Sequence, residues 1–270
     1  MPLIPHWPRR AGAGWALVLI SVPALAHNPL ASQGPEQWAA LITVAWLLSF
    51  WGLYLWGSTR VSPGWLSAMV FHLTAILCAF TLLGPLDDWA KTSTAAHMVQ
   101  HMLLMVVIAP LWVLCRSLPQ LNAGGGPPAA RIWRPGLQLA RYPMYAAFLH
   151  GAIVWFWHMP YFYMLAVENV WWHAFEHACF IVTAGIFWWA ILRAGQARTP
   201  WALVALLFTL MHTGFLGALL TFARDPLYAE TRDLQDQQLA GLSMWVAGAV
   251  PYLIASAWMG HRWFQRICPA

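Results

Sequence analysis

Seven continuous apolar runs, near residues 38–57, 65–84, 95–115, 143–162, 170–192, 201–222 and 239–259, limit what this chain can fold into. Each is roughly 20 residues long, which at ~1.5 Å per residue matches the ~30 Å hydrocarbon core of a bilayer. The runs are continuous rather than alternating, which favours helices over barrel strands. Only 9% of the residues are charged, against about 25% in soluble domains. The expected fold is all-α: a polytopic transmembrane helical bundle of seven spans, forming one domain over residues 27–270. Pro110 and Pro251 fall inside spans and mark expected kinks. The polar interruption 116–142, with "NAGGGPP", reads as a flexible loop.

Residues 1–26 read as a signal peptide or signal-like segment. Arg9 and Arg10 precede "WALVLISVPALA", which is too short to span and ends in Ala24-Leu25-Ala26, a small-x-small pattern suited to cleavage after Ala26. Cleavage would leave His27 at the N-terminus, where an α-amine and an imidazole can chelate copper; a polar residue after a cleavage site is the plainer reading. Cys78, Cys115, Cys179 and Cys268 show no metal-binding or disulfide spacing and read as small buried hydrophobes.

Basic residues set the orientation. With residue 27 outside, the inner segments carry Arg60, Arg116, Arg131, Arg134, Arg141, Arg193, Arg198, Arg262 and Arg266, and the outer ones only Lys91, Arg224 and Arg232. By the positive-inside rule the N-terminus is outside and the C-terminus cytoplasmic, in a bacterial inner (plasma) membrane. The formal charge of +5 does not point to nucleic acid, because the basic residues sit in loops between spans; the lipid bilayer is the expected surrounding. Every acidic residue but Glu176 falls outside the spans.

Direction fixes depth. His97 and His101 ("HMVQH") open span three, and His173, Glu176 and His177 ("HAFEH") open span five, both from outside. His158 lies near the outer end of span four. His150 and His212 lie near the midplane, and His72 is alone in the inner half of span two. Histidines four apart differ by about 40° around a helix and face one neighbour, so each pair can offer two imidazoles to one ion. Met105, about 80° from His97 and one turn below His101, adds a thioether. Glu176, about 60° from His173, is placed to take a ring N–H behind the ligands. Imidazole with thioether favours copper, particularly Cu(I). The remaining methionines, including Met98, read mostly as core filler, with Met244 a weaker ligand candidate. Trp38, Trp65, Trp89, Trp171, Trp172 and Trp201, near span ends, suit an interfacial belt.

The segments "HMVQHMLLMVVIAPL", "WHMPYFYMLAVENVWWHAFEH", "MHTGFLGALLTFARDPLY" and "DQQLAGLSMWVAGAVPY" together resemble the multi-pass cytochrome c oxidase assembly factors called CtaG, associated with caa-type oxidases. The resemblance covers roughly residues 38–260, in order; residues 1–26 and 122–128 are not part of it. It implies a role in maturing the oxidase by supplying or handling copper for its membrane subunits. The residues matching by position are His97, His101, His158, His173, His177, His212 and Asp236-Gln237-Gln238.

Two other readings stay open on the residues alone. Transmembrane histidines also ligate haem, although paired i, i+4 histidines crowd one edge and suit a small ion better. Histidines at two depths also suit a copper or proton transporter. A retinal protein is excluded because the sole lysine, Lys91, lies in an outer loop. No Ser-His-Asp arrangement or HExxH signature points to an enzyme.

Overall fold

A computed structural model describes residues 34–229 and 232–267; the signal-like segment, His27 and Cys268 lie outside them. Among the described residues there is no strand. The helices are α1 (Pro35–Ser58), α2 (Trp65–Leu83), α3 (Pro85–Thr92), α4 (Thr94–Met102), α5 (Ala109–Leu114), α6 (Leu118–Leu139), α7 (Pro143–Trp157), α8 (Pro160–Glu168), α9 (Val170–Leu192), α10 (Thr199–Thr221), α11 (Leu234–Leu242) and α12 (Ala249–Ile267). Among the described residues, six stretches are long and apolar enough to cross a membrane: 35–58, 65–92, 94–114, 170–192, 196–221 and 234–267. The chain is a multi-pass membrane protein.

The span expected at 143–162 is shorter than the others. Helix α7 has 15 residues, about 22 Å. It stops because Met159, held extended (φ −66°, ψ 136°), precedes Pro160, which excludes the helical conformation before it. The chain restarts as α8, and His158 is left as the C-cap of α7.

Both expected kinks take a specific form. Leu103–Ile108 and Ser243–Ala247 are π-helical turns, joining α4 to α5 and α11 to α12. In the first, the Ala109 N–H bonds to Leu104 O, five residues back. The next donor would be Pro110, which has none. The Met105 carbonyl is therefore free of the helix ladder, and it accepts from Trp188 Nε1 at 2.8 Å.

The segment 116–142 corrects the expectation of a flexible loop. It is helical over most of its length, as two stretches meeting at Gly126 (φ 63°, ψ −158°), a left-handed angle that favours glycine. Its first half lies against α1 at backbone contact. A Cβ on Gly57 would sit 1.7 Å from Gln120 O, and one on Gly124 would sit 2.1 Å from Leu53 O. The glycines were a close helix crossing, where small residues let backbones meet.

Helices α4–α5 and α9 are central, packed among α7, α10, α11 and α12. About half of each central span is buried, against 17% of the α1 window. Trp38, Trp65, Trp89 and Trp201 are exposed, as an interfacial belt requires. A second close crossing joins α10 to α11: a Cβ on Gly241 would meet Gly217 O at 2.5 Å. That contact draws the start of α11 against the start of α4.

Candidate metal centre

Two helices begin in the same way. Ser93 caps α4, its Oγ accepting from Ala96 N at 3.1 Å. Asn169 caps α9, its side chain accepting from Trp171 N at 3.0 Å. The first histidine follows four residues after each cap, and its N–H makes the helix bond back to the cap carbonyl: His97 to Ser93 O, His173 to Asn169 O. The second histidine follows four residues later. The caps thus fix both histidine pairs at one level, at the same end of the bundle.

That register brings four side chains together. Ligand atoms of His97, His101, His173 and Glu176 all lie within 4.8 Å of one another. Glu176 Oε2 is 3.5 Å from His97 Nε2 and 3.4 Å from His101 Nε2. His97, His101 and Glu176 are at most 1% exposed. Both ring nitrogens of His97 and of His101, both oxygens of Glu176, and His173 Nε2 lack hydrogen-bond partners among the described residues. Buried polar atoms are rarely left unpaired, because each costs about 1–3 kcal/mol. The Glu176–histidine separations of 3.4 and 3.5 Å are close to the roughly 3.3 Å between two donors bonded at ~2.0 Å to one tetrahedral ion. His177 extends the group, with its ring 4.2 Å from His173 and 5.5 Å from His101.

Glu176 therefore does not sit behind His173. It lies on the same side of α9 as His173, with its carboxylate reaching His97 and His101 of α4 as a member of the group. Asp87 of α3 approaches His173 instead, Oδ1 to Nδ1 at 3.9 Å. Gln100 holds Asp87, donating from Nε2 to Asp87 Oδ1 and to Thr81 O, each at 2.9 Å.

His158 adds a softer pair beside the quartet, its ring 6.1 Å from that of His101. Its Nδ1 lies 2.7 Å from Val154 O. A carbonyl only accepts, so Nδ1 carries the proton and Nε2 of the neutral ring presents a lone pair. That lone pair faces Met98 Sδ at 3.3 Å. A thioether has no proton to give, so two lone-pair donors meet there. Met98 is a core residue, as its apolar surroundings in the sequence suggest, and its contact with His158 is an addition to that. No spacing rule singles it out, because its partner is on another helix.

Asp236 is not at the quartet. Its carboxylate accepts from Ser93 Oγ at 2.8 Å and from the backbone N–H groups of Thr94 and Ala95. It caps α4 from α11, one turn from His97. Gln237 Oε1 accepts from Leu227 N, and Gln238 Nε2 donates to Ala223 O. Arg232 closes the same end, donating to Lys91 O and Thr94 Oγ1 and lying over the Tyr163 ring. Tyr163 in turn packs on His97, with centroids 5.1 Å apart.

The structure does not bring Met105 or His212 to the quartet. The π turn after Met102 breaks the 3.6-residue register assumed for Met105, whose side chain lines a separate cavity with Met102, His150 and Met244. His212 packs beside Gly151 of α7, where a Cβ would lie 2.8 Å from Nε2. His72 accepts from Trp51 Nε1 at 2.9 Å and braces α1 to α2.

Comparison with known proteins gives the family. Residues 50–266 match the family described as cytochrome c oxidase caa3 assembly factor, Caa3_CtaG. The chain belongs to that family. The caa3 assembly-factor match begins inside α1 and ends inside α12, so it takes in every residue of the quartet. Uncharacterized proteins of Mycobacterium bovis and Mycobacterium tuberculosis are each 27% identical over 214 residues, covering 69% of this chain. The chain spans about a third of the length of these curated relatives, 32% in each case. No solved structure matches.

Proposed function

We propose that this chain is a copper-handling assembly factor that binds Cu(I) in the membrane and supplies it to the membrane subunits of a caa3-type cytochrome c oxidase. The observation that carries the reading is the buried quartet of His97, His101, His173 and Glu176, with its ring nitrogens and carboxylate unpaired. Counted over the four ligand groups alone, with Asp87 outside them at 3.9 Å from His173 Nδ1, charge favours a monovalent ion. Three neutral imidazoles, one carboxylate and a monovalent ion sum to zero, the least costly state in a low-dielectric interior. A divalent ion would leave one net charge there. The His158–Met98 pair supplies the nitrogen and thioether donors that Cu(I) prefers.

Haem fits less well. The rings of His97 and His101 are 4.2 Å apart on one helix face. Tyr163 and Phe180 fill the space beside them, with ring separations of 5.1 and 4.6 Å.

The nine-to-three distribution of basic residues supports an arrangement with the quartet at the outer side of the plasma membrane and the C-terminus cytoplasmic. From that depth an ion could pass sideways to histidines of an oxidase subunit without entering water. The test is copper retention by protein purified in detergent and loaded anaerobically with Cu(I). His101→Ala should lose copper while still inserting, and His72→Ala should keep it. Cells lacking the protein, grown with copper scarce, should make oxidase subunits that are poorly metallated. Equal copper loss in both variants, or fully metallated oxidase in those cells, would overturn the reading.

A further inference from the structure

Below the quartet a cavity of about 20 Å³ is lined by Met102, Met105, Val106, His150, Val154, Thr213, Met244, Gly248 and Tyr252. A space of roughly 10–15 Å³ holds a single water, so this one suits one small occupant. Its wall is mostly apolar; the heteroatom-bearing side chains in it are His150, three methionines, Thr213 and Tyr252.

His150 is fully buried, and its tautomer is set. Thr183 Oγ1 donates its only proton to Cys179 O at 2.8 Å. It can therefore only accept from His150 Nδ1, 3.0 Å away. The proton sits on Nδ1, and Nε2 presents a lone pair with no partner. This is how metal-binding histidines are usually held, one nitrogen tied back so that the other is free. Three methionines line the same small cavity.

Two of those methionines are positioned by backbone irregularities. Met105 lies on the first π turn and Met244 on the second. Trp188 locks the first turn by its bond to Met105 O, and Tyr252, stacked on Trp188 at 5.5 Å, closes the wall. Turns of this kind recur at functional sites because they turn a side chain out of its regular register.

We infer that this cavity is a second binding site, for one soft monovalent cation, Cu(I), held by His150 Nε2 with the thioethers of Met102, Met105 and Met244. The site has no carboxylate, so a monovalent ion leaves one net charge in it and a divalent ion two. It therefore selects Cu(I) over zinc more strictly than the quartet does. The inference rests on the copper-handling reading and adds a second station to it, on the cytoplasmic side of the first.

The experiment is anaerobic loading of the detergent-purified full chain with Cu(I), with stoichiometry and copper X-ray absorption measured on one sample. Wild type should hold two tightly retained ions, with sulfur among the neighbours. The double variant Met105→Leu/Met244→Leu, close to wild type in volume, should hold one ion fewer and lose sulfur scattering. His150→Ala should also lose one ion. His101→Ala should lose the other ion and become richer in sulfur per copper. Any sulfur from Met98 beside His158 is present in all of these proteins, so the difference between them is what is read. One ion with only nitrogen and oxygen neighbours, or an unchanged sulfur shell in the double variant, would overturn this inference and leave the quartet standing. Retention of no copper at all would remove both.

Discussion

Glu176→Gln is the sharpest probe of the quartet, because it changes charge at nearly constant shape. The carboxylate is fully buried, with one oxygen 3.4–3.5 Å from two imidazole nitrogens and neither oxygen hydrogen-bonded. With Cu(I) bound it is the one negative group that neutralises the ion. Removing one partner of a buried ion pair costs about 3–5 kcal/mol. At about 1.4 kcal/mol per tenfold, that is roughly a 10²- to 10⁴-fold loss of Cu(I) affinity. The same loss has a second readout. At a free copper level of ~1,000 times the wild-type Kd, binding stabilises the wild type by about 4.1 kcal/mol. A variant weakened 10²-fold keeps about 1.4 kcal/mol, and one weakened 10⁴-fold keeps about 0.1. Competition against a coloured Cu(I) chelator gives the affinity, and thermal unfolding with and without copper gives the stabilisation. An affinity within tenfold of wild type would show that Glu176 is not a neighbour of the ion, and the charge argument for Cu(I) would fail with it.

Two further outcomes test the scaffold. Asp236→Ala removes the acceptor for the Ser93 hydroxyl and the first N–H groups of α4. Caps and charge-assisted bonds of this kind contribute ~1–3 kcal/mol, so unfolding in detergent should shift by about that much, and by less in Asp236→Asn; an unchanged stability would contradict the capping role. Gly217→Val should cost ~1–3 kcal/mol through forced separation of α10 and α11, because a Cβ there meets Gly241 O at 2.8 Å. Gly185→Ala, where nothing lies within 4 Å, should be neutral or slightly stabilising in the same assay.

The helical fold was legible because a bilayer imposes one rule on every span, and hydropathy reports it. The histidine pairs were legible because spacing of four puts two side chains on one face of any regular helix. What escaped depends on departures from regularity or on contacts between helices. Counting 3.6 residues per turn puts Met105 within reach of His97 and His101, but the helix opens to a π turn across Leu103–Ile108. Pro110 announced a kink but not its kind. "NAGGGPP" has the composition of a loop, yet Gly124 is there so that α1 can approach, and composition alone cannot separate a flexible glycine from a tightly packed one. Met98 and Asp236 act on partners 60 and about 140 residues away in the chain, a relation no local pattern carries.

The caps explain why so loose a signal as two HxxxH pairs produces a tight cluster. A metal site tolerates errors of only about 0.5 Å, and helices meet that tolerance better than loops do. A helix is rigid within itself but free to slide along its axis, and a slip of one residue would move a ring by about 1.5 Å. Capping at Ser93 and Asn169 defines where each helix starts, and the first histidine follows four residues later in both. Asp236 ties the α4 cap to α11, and the Gly217–Gly241 crossing ties α11 to α10. The axial position of His97 thus depends on a chain of contacts that contains no ligand. On the copper-handling reading, this predicts that Asp236→Ala weakens copper binding although Asp236 touches no ligand. It also predicts that copper should partly restore the variant's stability, since a bound ion would pull α4 back into register. A loss of stability with copper affinity unchanged would mean that packing around Tyr163 and Phe180 holds the histidines without help from the cap.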